Sequence, residues 1–395
     1  MKKKQIEKLQ NYFYDELINN TLKFWINNAP DFEYGGFHTC LDRKGDLLST
    51  DKPMWVVCRF TWLLSKLYNE LGKEEKWLEL AKHGIDFIKK YGFDKDGRMF
   101  YAVTRDGRPL RKRRYLFTET FGVIAFAEYA RASGEKECLE LAKKTMKLIQ
   151  ELRNKPGALE PKIYPETRRT RDHSMAMIQI NTLQVLRAAD GYKKEYDELI
   201  DKAIEEVFKY FVKPEKKCLL EIVGENGEYL GELPEGRCVN PGHTIETAWF
   251  IMEEGRYRND MTLVEKALPL LDWSLDLGWD KKYGGIFYFV DIEGKQPFQL
   301  EWDMKLFWPH NEAIYATLLA HFLTGEKRYL DWFDKVFNWS IKHFPDKEYG
   351  EWIGYLHRDG SVALDLKGNF WKGPFHLPRQ QLYCYLLLKE QLEKV

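Results

Sequence analysis

Short glycine-containing segments recur along this chain, and their repetition constrains the fold more than any other feature. Six segments of this kind occur, the third being the weakest, at residues 34–45, 91–107, 157–167, 218–227, 283–294 and 349–360. Alternating apolar residues beside turns such as Asp106-Gly107 and Asp359-Gly360 are typical of β-hairpins. The repeat interval of about 60 residues accommodates one hairpin and two helices. The sequence therefore predicts six copies of one structural unit.

Two kinds of helical pattern lie between these hairpins. Apolar residues at three-to-four spacing, typical of helices with one buried face, occupy residues 6–27, 77–90, 137–152 and 263–277. The helices that follow the hairpins are apolar on most sides, which is typical of buried helices, and occupy residues 55–67, 117–132, 175–188, 245–252, 314–323 and 378–388. The order is therefore outer helix, hairpin and inner helix, repeated six times.

Six hairpin-linked helix pairs close most simply into an all-α (α/α)6 barrel with its β-hairpins clustered at one end. An open α-solenoid is the alternative. The array shows no linker, so we predict a single domain over residues 1–395. In a closed barrel every inner helix begins at the hairpin end, and polar residues at those starts converge on one cleft.

Histidines stand at the starts of the fourth, fifth and sixth inner helices, at positions His243, His310 and His376. His243 and His376 are flanked by proline and glycine, which restrict the backbone. Each also has a charged residue three positions further along the same helix face, Glu246 and Arg379. We therefore interpret His243 and His376 as catalytic.

The other histidines are more often packing or capping residues in helical proteins. We interpret His83, His321 and His343 in this way. His38 and His357 lie on hairpins and are candidates for substrate contact, whereas His173 precedes the third inner helix and stays unassigned.

A metal site is a competing interpretation. His243 and Glu246 form an H-x-x-E pair, which His310 would complete. This pair is a weak signal beside an H-E-x-x-H or a longer ligand pattern, so we predict no catalytic metal. The sequence also contains no Walker phosphate loop, no glycine-rich dinucleotide turn and no G-x-S-x-G motif.

Two imidazoles suit reversible proton transfer, because histidine exchanges its proton near neutral pH. On opposite faces of a carbon next to a carbonyl, one removes a proton and the other delivers one, which inverts that carbon through an enediolate. Arg59 or Arg379 would stabilise the oxyanion, and Glu246 or Glu312 would orient a histidine.

Barrels of this shape also cleave glycosidic bonds, which requires two carboxyl groups. Glu119, Glu246 and Glu312 would supply them. A hydrolase, or a barrel that only binds carbohydrate, therefore stays the alternative from a different class.

Composition restricts the partners. The 61 basic and 61 acidic residues balance, so nucleic acid is not indicated. No stretch approaches the roughly 20 apolar residues that cross a bilayer, and the N-terminal residues lack the apolar run of a signal peptide. Six scattered cysteines are typical of free thiols in a reducing compartment. We predict a cytoplasmic protein whose partner is a small sugar.

Several short stretches resemble the N-acylglucosamine 2-epimerases, in the expected order along the chain. They are residues 35–42, 55–59, 240–246, 307–312 and 375–379. The resemblance implies an (α/α)6 barrel that interconverts N-acetylglucosamine and N-acetylmannosamine, with His243 and His376 as the acid–base pair. It also implies active-site roles for Arg59, Glu312 and Arg379. Trp308, His310 and Glu246 stand in the same motifs, and we predict that they bind the substrate.

The wider superfamily includes cellobiose 2-epimerases and mannose isomerases with the same histidine pair, and their substrates stay alternatives. The stretches 307–312 and 375–379 are more similar to the acylglucosamine branch. Cellobiose epimerases carry a histidine-bearing segment in the third inner helix, whereas residues 175–181 contain none. The resemblance further implies a homodimer and, for some members, activation by ATP. No cofactor is expected in the reaction itself.

Overall fold

Twelve helices form two concentric rings in the computed structural model, which describes residues 1–113 and 115–394. The inner helices are α2 (Met54–Glu70), α4 (Phe117–Ser133), α6 (Ser174–Asp190), α8 (Pro241–Arg258), α10 (Phe307–Thr324) and α12 (His376–Glu393). The outer helices are α1 (Lys3–Asp15 and Lys23–Asn28, joined by the π-helical segment Glu16–Leu22), α3 (Glu75–Tyr91), α5 (Lys136–Asn154), α7 (Lys194–Glu206, followed by the π-helical segment Val207–Phe211), α9 (Met261–Gly278) and α11 (Lys327–His343).

The inner ring is closed. Each inner helix contacts the next one, and α12 contacts α2. At this seam the rings of Trp62 and Phe375 lie 5.4 Å apart. The predicted (α/α)6 barrel is therefore confirmed, and the open solenoid is excluded.

Burial separates the two rings as their sequence patterns predict. In α4 every residue from Thr118 to Ala130 is buried, whereas in α3 the buried residues recur at helical spacing on one face. Each large apolar side chain taken out of water contributes about 1.5–3 kcal/mol. Among the described residues, no helix is both long and apolar enough to span a membrane.

The connections differ in length at the two ends of the barrel. Inner helices pass to outer helices through short links of residues 71–74, 134–135, 191–193, 259–260 and 325–326. Outer helices return to inner helices through long segments that carry short strands, so the strands and all inner-helix starts share one end.

In the described residues, these long segments contain fourteen short strands. They are β1 (Cys40–Leu41), β2 (Leu47–Ser49), β3 (Lys52–Pro53), β4 (Ala102–Val103), β5 (Pro109–Arg111), β6 (Thr170–Asp172), β7 (Val212–Lys213), β8 (Cys218–Leu219), β9 (Ile222–Gly224), β10 (Cys238–Val239), β11 (Val290–Asp291), β12 (Lys305–Leu306), β13 (Tyr355–Leu356) and β14 (Val362–Leu364). The hairpins β1–β2, β4–β5 and β13–β14 form as predicted.

Strand pairing also joins neighbouring repeats, which the hairpin prediction did not include. The strand before an inner helix pairs with a strand of the next repeat, as in β3–β4, β6–β9, β10–β11 and β12–β13. The hairpins predicted around Gly227 and Gly294 were therefore wrong. Both turns form, but β9 and β11 satisfy their backbone groups with the preceding repeat.

At three places a buried aspartate, together with the basic residues around it, forms a cluster that links one repeat to the next. The Asp31 carboxylate accepts hydrogen bonds from Lys52 at 2.9 Å and from Arg105 of the next repeat at 2.8 Å. The same arrangement recurs in two further clusters, Asp280 with Lys305 and Arg358, and Asp346 with Lys367 and Arg43. The last cluster joins the sixth repeat to the first and so closes the ring at its loop end.

Candidate active site

A cavity of about 490 Å³ opens at the strand end of the barrel. Every inner helix contributes to its wall, through Trp55, Arg59, Phe117, Phe121, Met177, Ile178, His243, Glu246, Phe307, Trp308 and His376. The convergence of inner-helix starts that the repeat predicts is therefore present.

His243 lies in the first turn of α8, where Asn240 and Pro241 fix the backbone. The Asn240 side chain accepts a hydrogen bond from the His243 backbone N–H at 3.1 Å, and Pro241 begins the helix. The His243 Nδ1 lies 2.9 Å from an Oε of Glu221. Because a carboxylate accepts hydrogen bonds, Nδ1 carries the proton in this contact, which leaves Nε2 directed to the cavity.

His376 is the first residue of α12 and has an equivalent partner. Its Nδ1 donates to Glu312 Oε1 at 2.6 Å. The same carboxylate accepts hydrogen bonds from Arg379 at 2.6 Å and from the indole N–H of Trp249 at 2.8 Å. Trp249 also lines a second cavity of about 440 Å³, which lies among the last turns of the inner helices.

Trp308 fixes the two imidazoles relative to each other. Its ring centroid lies 5.2 Å from that of His243 and 5.5 Å from that of His376. Gly242 permits this packing, because a Cβ at that position would lie 2.5 Å from the Trp308 ring. In the part of the chain that the structure describes, neither Nε2 has a hydrogen-bond partner.

The surroundings shift the pKa values of the two histidines in opposite directions. Burial lowers the pKa of His243, but the carboxylates of Glu221 and Glu246 outweigh this effect and raise it to about 9. Burial and the guanidinium groups of Arg379 and Arg59 hold the pKa of His376 well below 6.5. The charge of Glu312 is already offset by Arg379, so it does not compensate for them. At neutral pH His243 is therefore the imidazolium of the pair, with protons on both ring nitrogens, whereas His376 is neutral.

Arg59 lies in an aromatic enclosure beside the cavity. Its guanidinium carbon is 4.3 Å from the Trp55 ring centroid, 4.0 Å from that of Phe121 and 4.5 Å from that of Phe375. Burial lowers the pKa of Arg59 to about 9, partly offset by Glu246. The Nε of Arg59 is buried and has no hydrogen-bond partner in the described part of the chain. A cation with unused donors at the cavity wall is suited to an oxyanion.

Two residues take places other than the predicted ones. His310 does not line the cavity: its Nδ1 donates to the Leu306 carbonyl at 2.7 Å and its Nε2 accepts from the Ile286 N–H at 2.9 Å. Both nitrogens are thereby used for the backbone, and the structure gives no support to a substrate contact. Glu246 lies at the cavity but contacts Arg379 at 2.6 Å and not a histidine.

The remaining candidates lie outside the cavity wall. Glu119 pairs with Arg98, and His38 lies 3.4 Å from Asp31 in an aspartate cluster. The sequence interpretation missed Glu221, which is the partner of His243. Its signal is a single carboxylate within the apolar strand sequence Cys218–Val223, where an acidic residue needs a partner.

Three side chains in this site lie close enough together to coordinate a cation. Oxygen atoms of Glu246 and Glu312 and a nitrogen atom of His376 lie within 4.8 Å of one another. However, Arg379 Nη2 is 2.6 Å from both carboxylates, so its positive charge already lies where a cation would bind. These residues therefore do not fit a metal site.

The arrangement provides a general acid and a general base with opposite protonation states, together with a buried cation. Such a set performs proton abstraction and delivery next to a carbonyl. It is a poor hydrolase site, because Arg379 binds both Glu246 and Glu312, and neither carboxylate is free to act as acid or nucleophile.

Several known proteins are similar to this chain in sequence or structure. N-acylglucosamine 2-epimerase of Mus musculus is 34% identical, over 96% of this chain and 92% of its own. Cellobiose 2-epimerase of Dictyoglomus turgidum is 28% identical, over 95% and 97%. The solved structure of cellobiose 2-epimerase from Bacillus thermoamylovorans superposes with a TM-score of 0.83 at 22% identity, covering 98% of this chain and 100% of that one. Residues 35–375 match the family described as N-acylglucosamine 2-epimerase (GlcNAc 2-epimerase), and the chain belongs to that family.

Proposed function

We propose that the protein is a sugar 2-epimerase that interconverts N-acetylglucosamine and N-acetylmannosamine. The observation that carries this proposal is the pair of imidazoles at one cavity, His243 and His376, each with Nδ1 held by a carboxylate and with no hydrogen-bond partner for Nε2 among the described residues. Their pKa values are shifted apart, which is how acid and base roles are usually assigned.

The reaction needs the open-chain sugar, because only this form has a carbonyl next to C2. For the epimer whose C2–H faces His376, the neutral Nε2 of His376 takes the proton, and the electron pair left at C2 forms an enolate with the neighbouring carbonyl group. The Arg59 guanidinium stabilises the negative charge that develops on the carbonyl oxygen. His243 Nε2–H then delivers a proton to the other face of C2. The opposite epimer uses the same residues with exchanged roles.

The cavity wall favours an N-acetylated sugar. Apolar side chains of Trp55, Phe117, Phe121, Met177 and Ile178 line it beside Arg59. A methyl group gains free energy from such a surface, at about 0.8 kcal/mol for each buried methylene-sized group, whereas a hydroxyl group loses hydrogen bonds there. Mannose and cellobiose are the alternative substrates within the same chemistry.

Incubation in D2O with N-acetylmannosamine, mannose or cellobiose tests the proposal. We expect N-acetylglucosamine to form from N-acetylmannosamine with one deuterium at C2, detected by NMR. His243→Ala and His376→Ala should retain the fold, measured by circular dichroism, and lose this exchange. Absence of exchange with all three sugars in the wild type would refute epimerisation, and exchange with mannose or cellobiose alone would reassign the substrate.

The family resemblance also motivates proposals about regulation and assembly. The reaction we propose needs no cofactor, and the protein acts in the cytoplasm as a homodimer with a small sugar as its partner. Lys162, Arg168 and Arg171 give a surface cavity a basic wall that suits activation by ATP. Turnover with and without ATP tests the regulation, and sedimentation velocity tests the assembly.

A further inference from the structure

His173 is a buried titratable residue that the proposed mechanism does not use. It is fully buried directly before α6 and packs edge-on against Phe211, with ring centroids 5.4 Å apart. Its Nδ1 lies 3.7 Å from Glu221 Oε1, while the other oxygen of this carboxylate binds His243. Two imidazoles thus share one carboxylate, one of them at the cavity and one behind it.

Strand pairing between repeats places His173 beside Glu221. In the β6–β9 ladder, Asp172 pairs with Ile222, so the next position opposes His173 to Glu221. The His173 backbone N–H donates to the Glu221 carbonyl at 3.0 Å. The contact between the two side chains therefore follows from a fixed register, and not from two flexible chains that meet by chance.

The hydrogen bonds of Thr247 fix the tautomer of neutral His173. The Thr247 hydroxyl donates to the His243 carbonyl at 2.8 Å, so toward His173 Nε2, at 3.2 Å, it can only accept. Nε2 therefore carries a proton, and Nδ1 of neutral His173 presents a lone pair to Glu221. His173 Nδ1 and Glu221 Oε1 are both buried, and neither has a hydrogen-bond partner within residues 1–113 and 115–394. One proton on Nδ1 would satisfy both atoms.

We propose that His173, with this additional proton on Nδ1, is a positioning residue that holds the Glu221 carboxylate from behind, in the orientation in which Glu221 binds His243 Nδ1. Through Glu221 it sets the pH range over which His243 carries its proton. This inference rests on the epimerase function proposed above, but it concerns a property of His243 that can be measured without turnover.

Other charged and titratable groups face this cluster and also act on His243 or Glu221. They are Asp172, Glu246, Cys238, Tyr288 and His376. None of the hydrogen bonds described for these side chains reaches Glu221, so His173 and His243 are the two groups positioned to orient it.

Two substitutions at position 173 separate positioning from packing. The Asn amide nitrogen takes the place of Nδ1 and keeps a donor toward Glu221, whereas the Gln amide nitrogen takes the place of Nε2 and keeps only the contact with Thr247. We expect His173→Gln to shift the alkaline limb of kcat/KM for C2 exchange up by about one pH unit, because Glu221 then no longer shares its charge with a second imidazole. His173→Asn should keep the wild-type profile.

The NMR titration of the His243 ring proton should show the same order. His173→Gln should raise its midpoint, and His173→Asn should not. Adding His173→Gln to Glu221→Gln should cause no further shift, because the two residues act through one contact.

Wild-type midpoints in both position-173 variants, or equal shifts in both, would overturn the inference. If the wild type does not exchange deuterium at C2, the proposed function fails. The NMR titration still decides the role of His173 in that case.

Discussion

At the scale of single residues, the site depends on placing two like side chains in unlike surroundings. Among the described residues, the hydrogen bonds to Glu221 include none from a guanidinium group, so its charge acts on His243, whereas Glu312 is shared by His376, Arg379 and Trp249. The same side chain therefore acts as an acid at position 243 and as a base at position 376.

This contrast predicts the pH dependence of the enzyme. Activity requires one imidazolium and one neutral imidazole. We therefore expect kcat/KM to fall at high pH as the His243 imidazolium loses its proton, with a midpoint near its pKa of about 9. At low pH it should fall as His376 gains a proton, below the ordinary histidine value of 6.5 because that pKa is lowered.

Substitution of Glu221 tests the cause of the alkaline limb. Glu221→Gln removes the charge that raises the His243 pKa, so the alkaline midpoint should move from about 9 towards 6.5. Glu225→Gln, an exposed change four residues along the chain, should leave it unchanged. The measurement is the pH profile of C2 exchange, and an unmoved limb in Glu221→Gln would contradict the assignment.

Gly242 supports the site without touching substrate. An alanine Cβ would lie 2.5 Å from the Trp308 ring, which contacts both histidines. Gly242→Ala should therefore displace this ring and reduce kcat by up to about 100-fold, as small misplacements of catalytic groups do. The thermal midpoint measures whether the fold is retained. A wild-type kcat in a folded variant would show that Trp308 does not fix the pair.

Much of the residue-level site can be predicted from the sequence. His243, His376, Glu312 and Arg379 stand in short stretches near helix starts, where proline and glycine restrict the backbone. His310 occupies an equivalent position but contacts Leu306 and Ile286 backbone groups, which only the three-dimensional packing reveals.

At the scale of elements, the joints between repeats carry buried ion pairs. In one aspartate cluster, burial raises the pKa of Asp31, but hydrogen bonds from Arg105 and Lys52 outweigh it and hold that pKa far below its usual value. Asp31 therefore adds stability that is complete above its unfolded pKa, about 3.9. This stability is lost as the pH falls through the lower, folded pKa.

Asp31→Asn should lower the free energy of unfolding by about 3–5 kcal/mol, because it leaves the buried Lys52 ammonium without its counterion. Glu33→Gln is the matched control: Glu33 also contacts Arg105, but its side chain is 64% exposed. The control should change the stability by less than about 1 kcal/mol. Urea unfolding at pH 7 measures both, and equal effects would contradict the role of the cluster.

Strand pairing was the least predictable part of the elements. The turns at Gly227 and Gly294 have a local sequence signal, and both turns form. Their strands pair with β6 and β10, whose residues lie about 50 positions earlier in the chain. Pairing of this kind depends on how the helices bring the segments together, and for that reason Glu221 could not be assigned to His243 from the sequence.

At the scale of the whole molecule, closure makes distant parts of the sequence interdependent. Arg43 and Asp346 are separated by 303 residues and form a bidentate ion pair across the seam. The seam runs beside the cavity, since Phe375 packs on Arg59 of the cavity wall and on Trp62.

Weakening the seam should therefore loosen both ends of the chain together. In Arg43→Gln we expect faster amide hydrogen exchange in α2 and also in α12, with α6 on the far side of the ring unchanged. Lys44→Gln, an exposed neighbour, should change neither. Faster exchange confined to the residues around position 43 would contradict closure through this pair.

The indole of Trp249 lies between the carboxylate of Glu312 and the second cavity, and so connects the two ends of the barrel. On one side its N–H holds the carboxylate that supports His376, and on the other its ring borders the second cavity, beside Tyr315 and Tyr383. The side chain of Trp249 therefore separates the support of His376 from the second cavity. We therefore expect a ligand or a substitution that displaces Trp249 from the side of the second cavity to move the carboxylate that holds His376, the proposed base, and to alter turnover without any contact with the sugar.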